Sequence, residues 1–391
     1  MTGGFPIVPL GEVLRPVSRP ESADPEITYR ILGAHWYAKG LYIKHIKRGS
    51  EIQADKVYRV EHDDFVYNRL FAWKGSFAIA TEENHGCYVS NEFPVFTINR
   101  DRAEGKYLWR YFSRASAWDE ALSLSSGGTP TSRNRLKEEK LFAMKIPLPS
   151  LDEQRRIVAR IDELATKIEE ARGLRQQAVE EAERLLASAS AAAFKPRSGW
   201  TEAPVGDFCE HPQYGYTASA TPEKIGPRFL RITDIQNGLV KWDNVPFCQC
   251  PNPEQFLLQN NDLVFARTGA TTGKSFVIRD CPKAVFASYL IRLRVQRLVT
   301  VEYLYRYFQT PSYWSQIIDE KKGTGQPNVN GKRLAAIRVP IAPSEEHHRI
   351  VAHLDNLQAK VDAVKRLQAE TAAELEAMLP SILDMAFKGE L

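Results

Sequence analysis

Apolar positions three and four residues apart run through two long stretches of the chain, and outside them the pattern changes to short apolar runs broken by glycine-rich turns. The first stripe is Ile157, Ile161, Leu164, Ile168, Ala171, Leu174, Ala178, Ala182, Leu185 and Ala189. The second is Ile350, Leu354, Leu357, Val361, Val364, Leu367, Thr371, Leu375, Met378 and Ile382. This spacing places the apolar side chains on one narrow face of a helix, as in a coiled coil. Ser150 and Glu153 have the spacing of a capping box at the first helix start, and Pro196 with Gly199 marks its exit. Pro380 predicts a kink near the end of the second helix. Asp152–Phe194 is 43 residues long, roughly 65 Å at ~1.5 Å per residue, so each helix predicts the other as its partner.

The runs outside the helices predict strands: Asp64–Tyr67, Ser76–Ala80, Asp262–Phe265, Ser275–Ile278 and Leu290–Val295. Aromatic helices, Lys106–Phe112 and Glu302–Phe308, follow them. The fold class is therefore α/β in the broad sense, a mixed α+β chain.

The chain is also an internal duplication. Lys145–Leu164 aligns with Arg338–Leu357 at a constant offset of 193, which holds without a gap to Ala193-Phe194-Lys195 against Ala386-Phe387-Lys388. The flanking regions match more loosely: Pro9–Val13 with Pro204–Phe208, Asp64–Arg69 with Asp262–Arg267, and Tyr107–Phe112 with Tyr303–Phe308. Repeats at a fixed offset define the organisation. Four blocks result: variable residues 1–145, a strict helix 146–195, variable residues 196–338 and a strict helix 339–391.

Charge separates along the same blocks, with a net +3 and +6 on the variable blocks against −1 and −4 on the helices. A positive balance confined to the variable blocks points them toward a polyanion. No apolar run approaches a membrane span, and Met1–Val13 lacks the basic start of a signal peptide, so we expect a cytoplasmic protein with no membrane partner. Five scattered cysteines, Cys87, Cys209, Cys248, Cys250 and Cys281, fit reduced packing residues and not a metal site.

Catalytic chemistry is hard to find. Arg267–Ser275 resembles a phosphate-binding loop, but Gly269 and Gly273 enclose three residues where such a loop needs four, and Ser275–Ile278 continues as a strand. His347, His348 and His353 lack a zinc motif and predict an ordinary helix surface. Neither the cofactor loop and flipped-base pocket of a methyltransferase nor a nuclease carboxylate pair is present. We expect no catalytic residue, no cofactor and no metal.

What remains are loops rich in side chains that donate to phosphates and read base edges. Arg69 and Arg267 follow matched strands and precede glycine-containing turns that carry Lys74, and Thr268 with Lys274. Two further loops precede the helices. Ser125–Arg135 offers Arg133, Asn134 and Arg135, and Lys321–Asn330 offers Lys321, Lys322, Gln326, Asn328 and Asn330. These are candidate double-stranded DNA contacts, with plain solvated loops as the alternative.

The paired segments Ile146–Val158 and Val339–Val351, each leading into a long helix that ends in Ala-Phe-Lys, closely resemble the conserved regions of type I restriction-modification specificity (S) subunits. The resemblance covers the whole chain. It implies two target-recognition domains, each reading half of a bipartite asymmetric site, separated by two antiparallel helices that dock two DNA-methyltransferase (M) subunits, with restriction (R) subunits joining the full complex. The chain departs from the family at His347, where the first copy has Gln154. The repeated pairs Glu153 with Arg156 and Glu346 with Arg349 are candidates for the docking surface or for intrahelical ion pairs. A coiled-coil adaptor with protein-binding globules is the alternative from another class.

Overall fold

The computed structural model describes residues 5–127, 134–236, 238–269, 271–319 and 329–391. The chain divides into two compact units, residues 1–175 with 369–391, and residues 176–368. Each unit thus takes the head of one strict helix and the tail of the other.

In the first unit the strands are β1 (Ile7–Pro9), β2 (Leu14–Val17), β3 (Pro20–Ser22), β4 (Thr28–Ala34), β5 (Leu41–Arg48), β6 (Lys56–Val60), β7 (Phe65–Tyr67), β8 (Phe77–Ile79), β9 (Cys87–Val89) and β10 (Val95–Ile98). Helices α1 (Gly105–Tyr111), α2 (Ala115–Leu124) and α3 (Glu138–Ala143) follow, then β11 (Lys145–Pro147) and the long α4 (Leu151–Ala193). Strand order is β2-β10-β7-β8 in one sheet and β3-β6-β9-β4-β5 in another, while β1 and β11 form a two-stranded clasp. Large aromatics explain the main core: Phe65, Phe77, Phe96 and Phe112 are fully buried, with Phe77 stacked on Phe112 at 4.2 Å.

The second unit repeats the plan. Its strands are β12 (Thr201–Pro204), β13 (Gln213–Tyr214), β14 (Arg228–Leu230), β15 (Ile235–Gln236), β16 (Leu239–Val240), β17 (Leu263–Ala266), β18 (Ser275–Val277), β19 (Ala284–Phe286) and β20 (Leu290–Leu293). After them come α5 (Val301–Tyr307), α6 (Pro311–Asp319), α7 (Gly331–Ala336), β21 (Arg338–Ile341), α8 (Ser344–Glu370) and α9 (Ala372–Lys388). The sheet β13-β20-β17-β18 and the clasp β12-β21 mirror the first unit, but in place of a five-stranded sheet stand the short pairs β14-β19 and β15-β16. The strands and aromatic helices expected from the pattern are found within a residue or two.

Within each unit two helix segments pack antiparallel. In the first, the Arg156 guanidinium near the start of α4 donates to the Leu391 carbonyl at 3.1 Å, and Arg175 further along meets Thr371 Oγ1 at 2.7 Å. In the second, Lys365 of α8 pairs with Glu183 at 2.5 Å. The expected stripe holds at Ile157, Ile161 and Ile168, then departs: Leu174, Leu185 and Leu367 are exposed. On α4 the expected Ala182 and Ala189 stay sheltered, but they share the face with Val179, Leu186 and Ser190, which were not expected there. Ile157, Ile168, Val179 and Ser190 lie eleven apart, a step of ~3.67 residues per turn whose drift of ~20° per eleven residues is smaller per residue than that of a heptad and opposite in sense. The second helix also differs from expectation. It is interrupted at Thr371, where no break was expected, and Pro380 lies inside α9.

The five cysteines are free thiols, and burial pushes Cys209 up to about 12. Among the described residues no helix is long and apolar enough to cross a membrane.

Candidate nucleic-acid interface

The two variable blocks share a pair of equivalent backbone joints. After β7, Arg69 accepts at its carbonyl from the Leu136 N–H at 2.9 Å, and after β17, Arg267 accepts from the Val329 N–H at 2.9 Å. One joint ties Arg69 to Leu136, just past the loop that precedes α3, and the other ties Arg267 to Val329, near the end of the loop that precedes α7. The sequence-picked arginine and the sequence-picked loop are thereby brought together in both units.

The side chains at these joints differ. In the first unit the Arg69 guanidinium bonds the Glu138 carboxylate and the Asn91 carbonyl, and Arg135 donates to both oxygens of Glu92 at 2.8 Å. Burial works against the Glu138 charge, but the bond from Arg69 outweighs it and holds the carboxyl below its ordinary value. Arg69 lines a cleft of about 340 Å³ with Tyr58, Phe93 and Glu138. Asn134 is buried. Lys74 sits with its ammonium 3.7 Å from the Trp36 ring centre and 4.9 Å from that of Trp73, a cation–π stack.

In the second unit the Arg267 guanidinium lies 5.0 Å from the Tyr214 ring centre, and the Tyr214 hydroxyl accepts from the Gly331 N–H at 2.8 Å. Thr268 is half-buried and Lys274 is exposed. Asn330 caps α7, its Oδ1 accepting from the Arg333 N–H at 2.9 Å, so its side chain has a local structural task. Arg133, Lys321, Lys322, Gln326 and Asn328 lie outside the described residues.

Of the two glycines of the phosphate-loop lookalike, Gly269 is left-handed but faces open space, and Gly273 has a packing role. Gly273 takes a left-handed φ of 86°, and a Cβ there would lie 3.0 Å from Ile317 and 3.2 Å from Trp314. Gly75 repeats this in the first unit, with φ 71° and Trp118 only 2.5 Å from a built Cβ. No helix starts at Lys274-Ser275; β18 does, as its sequence implies.

Where the helices begin, Ser150 Oγ accepts from the Glu153 N–H at 3.4 Å. Glu153 and Arg156 pair at 2.6 Å, Glu346 and Arg349 at 2.9 Å. The bond from Arg156 holds the Glu153 carboxyl below its usual range. Gln154 is buried and ties the start of α4 to the segment ahead of α1: Oε1 accepts from the Glu104 N–H at 2.9 Å, and Nε2 donates to the Arg102 and Pro149 carbonyls at 2.8 Å each. The surface position expected of His347 is corrected by its burial. Its ring lies 4.2 Å from that of Tyr303 and its Nε2–H donates to the Ala342 carbonyl at 2.9 Å. His348 and His353 are exposed, as a surface helix requires.

A family model described as type I restriction modification DNA specificity domain matches residues 36–180 and 197–372. The chain belongs to this family. The type I restriction enzyme EcoKI specificity subunit of Escherichia coli K12 is 24% identical over 301 residues, covering 72% of this chain and 64% of that one. The EcoBI specificity subunit of Escherichia coli is 22% identical over 319 residues, covering 74% and 67%. The match therefore spans just under two thirds of the EcoKI subunit. Among solved structures, the HsdS subunit of Thermoanaerobacter tengcongensis aligns at 25% identity with a TM-score of 0.69, covering 99% of this chain and 97% of that one. A chain solved in work on complex assembly and conformational transition of the type I R-M system aligns at 26% identity and TM-score 0.79, covering 99% and 98%.

Sequence reasoning passed over residues 27–50. They form the β4–β5 hairpin, with Tyr42, Ile43, Lys44, His45, Ile46 and Arg48 exposed. One signal could have found it: no carboxylate occurs between Glu26 and Glu51.

Proposed function

We propose that this specificity-family chain is the DNA sequence-specificity subunit of a type I restriction-modification complex. Residues 1–145 and 196–338 are its two recognition domains, each reading one half of a bipartite, asymmetric double-stranded site. The observation that carries this reading is the repeated joint, Arg69 to Leu136 and Arg267 to Val329, which sets unlike side chains, Glu138 beside Arg69 and Tyr214 beside Arg267, at the same place in two copies of one scaffold. Two unlike faces on like frames suit two unlike half-sites. Lys74, Arg267, Thr268, Lys274 and the loop residues Arg133, Arg135, Lys321, Lys322, Gln326 and Asn328 are the proposed contacts, with Arg69, the buried Asn134 and the α7 cap Asn330 in structural roles.

The subunit is non-catalytic. Methyl transfer and cleavage belong to partners: two M subunits docked on the near-equivalent helix heads that carry Glu153–Arg156 and Glu346–Arg349, and R subunits joining through them. Such a complex acts in the cytoplasm.

A chimera tests the modular reading. Replacing residues 1–145 by the corresponding block of a homologue changes one half of the methylated site, mapped across the genome, and leaves the other half intact. Loss of both halves overturns separate recognition. A chain that captures methyltransferase but shows no salt-dependent DNA binding would instead be an adaptor.

A further inference from the structure

The hairpin of β4 and β5 has the surface of an interface. The two strands pair along seven positions from Thr28–Arg48 to Ala34–Leu41, with a register shift between Ile31 and Leu32. On its other side β4 pairs with β9 at the single position Ile31–Tyr88, and β5 is the edge of the sheet. Most of the element is therefore a two-stranded ribbon, about 25 Å long at ~3.3 Å per residue. Ile46 is 65% exposed and Ile43 44%, and Tyr42, Trp36 and Tyr37 are exposed beside them.

Protection of a sheet edge accounts for Lys44, Lys47 and the bulge. It does not account for isoleucines and aromatics turned to water, which mark a surface that something covers. Charge says what covers it. Between Glu26 and Glu51 the chain carries Arg30, Lys39, Lys44, Lys47 and Arg48 with His35 and His45, and no acid. A polyanion is the complementary partner. The shape agrees, because the DNA major groove is about 12 Å wide and admits a two-stranded ribbon, where lysines reach phosphates or guanine and an apolar side chain meets the thymine methyl.

We infer that the β4–β5 ribbon enters the major groove of the half-site read by the first unit, with Lys44 and Lys47 on phosphates and His45 and Ile46 at base edges. The inference rests on the DNA-specificity reading above and assigns the reading element within it. Among the described residues the second unit has no such ribbon, so its half-site is read by other means.

The test uses the full chain co-expressed with its methyltransferase subunits, a random-sequence duplex, and duplexes carrying the mapped site with single-base changes. Lys44→Ala/Lys47→Ala lowers the slope of log affinity against log salt by about two. His45→Ala or Ile46→Ala relaxes discrimination by roughly tenfold at one or two positions of one half-site, and leaves the other half-site unchanged. Lys44, His45 and Ile46 are exposed and Lys47 is half-buried, and an unchanged melting temperature verifies that the variants fold. Unchanged slope and unchanged discrimination, with wild type binding normally, overturn the ribbon assignment and leave the specificity reading standing. Lost methyltransferase capture with an unchanged DNA slope makes the ribbon a protein-docking element and also overturns it. A wild-type complex that shows no salt-dependent binding overturns both.

Discussion

The two units solve the same packing problem twice and diverge where packing places no demand. In the first, Tyr107 and Tyr111 of α1 donate to the Pro147 and Lys145 carbonyls at 2.7 and 3.2 Å, and Phe387 packs on both rings. In the second, Tyr303 and Tyr307 of α5 donate to the Pro340 and Arg338 carbonyls at 2.8 and 2.7 Å, under Phe194. Arg110 reaches Asp162, and Arg306 reaches Asp355. The phenylalanine of each Ala-Phe-Lys thus closes the unit headed by the other repeat.

Equivalent needs are sometimes met from different places. Asp64 and Asp262 both stand buried ahead of a central strand and cap a turn, accepting from the N–H of Glu61 and Gln259. Their guanidinium partners are unrelated: Arg19, ahead of β3, at 2.6 Å, and Arg294, just after β20, at 2.6 Å. A buried carboxylate requires a cation and hydrogen bonds, not a particular chain position. Beyond this frame, the β4–β5 ribbon has no counterpart among the described residues of the second unit. The lesson is that buried complementarity holds the repeat while the outer elements are free to become different readers.

The sharpest way to break the comparison is at the closing phenylalanines. Phe194→Ala should destabilise the second unit, and Phe387→Ala the first, each by about 3–5 kcal/mol. Hydrogen exchange resolved by peptide would show the loss in α5 for Phe194 and in α1 for Phe387. Equal loss in both units for either variant would mean that they unfold as one.

A smaller effect comes from the left-handed glycines. Gly75→Ala and Gly273→Ala should each cost about 1–3 kcal/mol from backbone strain, with the Trp118 clash making Gly75 the costlier, read from denaturant midpoints. An equal or reversed order would mean that the tryptophans move aside freely.

The smallest expected difference separates the helix heads. Burial holds His347 below its ordinary value, against the pull of the Ala342 carbonyl. The unfolded chain, with an ordinary value of ~6.5, binds the proton first as pH falls. The contribution to stability is therefore complete above that value and is lost as pH falls through the lowered folded one. His347→Gln should flatten the acid side of the second unit's stability profile, measured by exchange at pH 7 and pH 5. Gln154→His should create that slope in the first. A slope unchanged in His347→Gln would place the titration elsewhere.

Much of this was legible in the sequence because it is periodic or repeated. The limits of the first long helix, the matched strands and the absence of a phosphate loop follow from local spacing, capping chemistry and the internal repeat. The seam beyond Ala171 was not legible, since three-four alternation does not tell a heptad from an eleven-residue step once polar residues share the face. Nor was the role of Arg69: a strand-end arginine reads alike whether it meets DNA or Glu138, which lies 69 residues further along the chain. The ribbon escaped because its apolar residues alternate with basic ones as in any half-buried strand, and only the fold buries Tyr29 and Leu32 of β4 while leaving side chains on both faces of β5 in water. By itself the sequence determined the repeated frame, whose cores impose the same residues twice. Which cations guard carboxylates, which phenylalanine closes which unit and which strand stays uncovered were decided by tertiary structure, because each depends on groups that distant parts of the chain bring together.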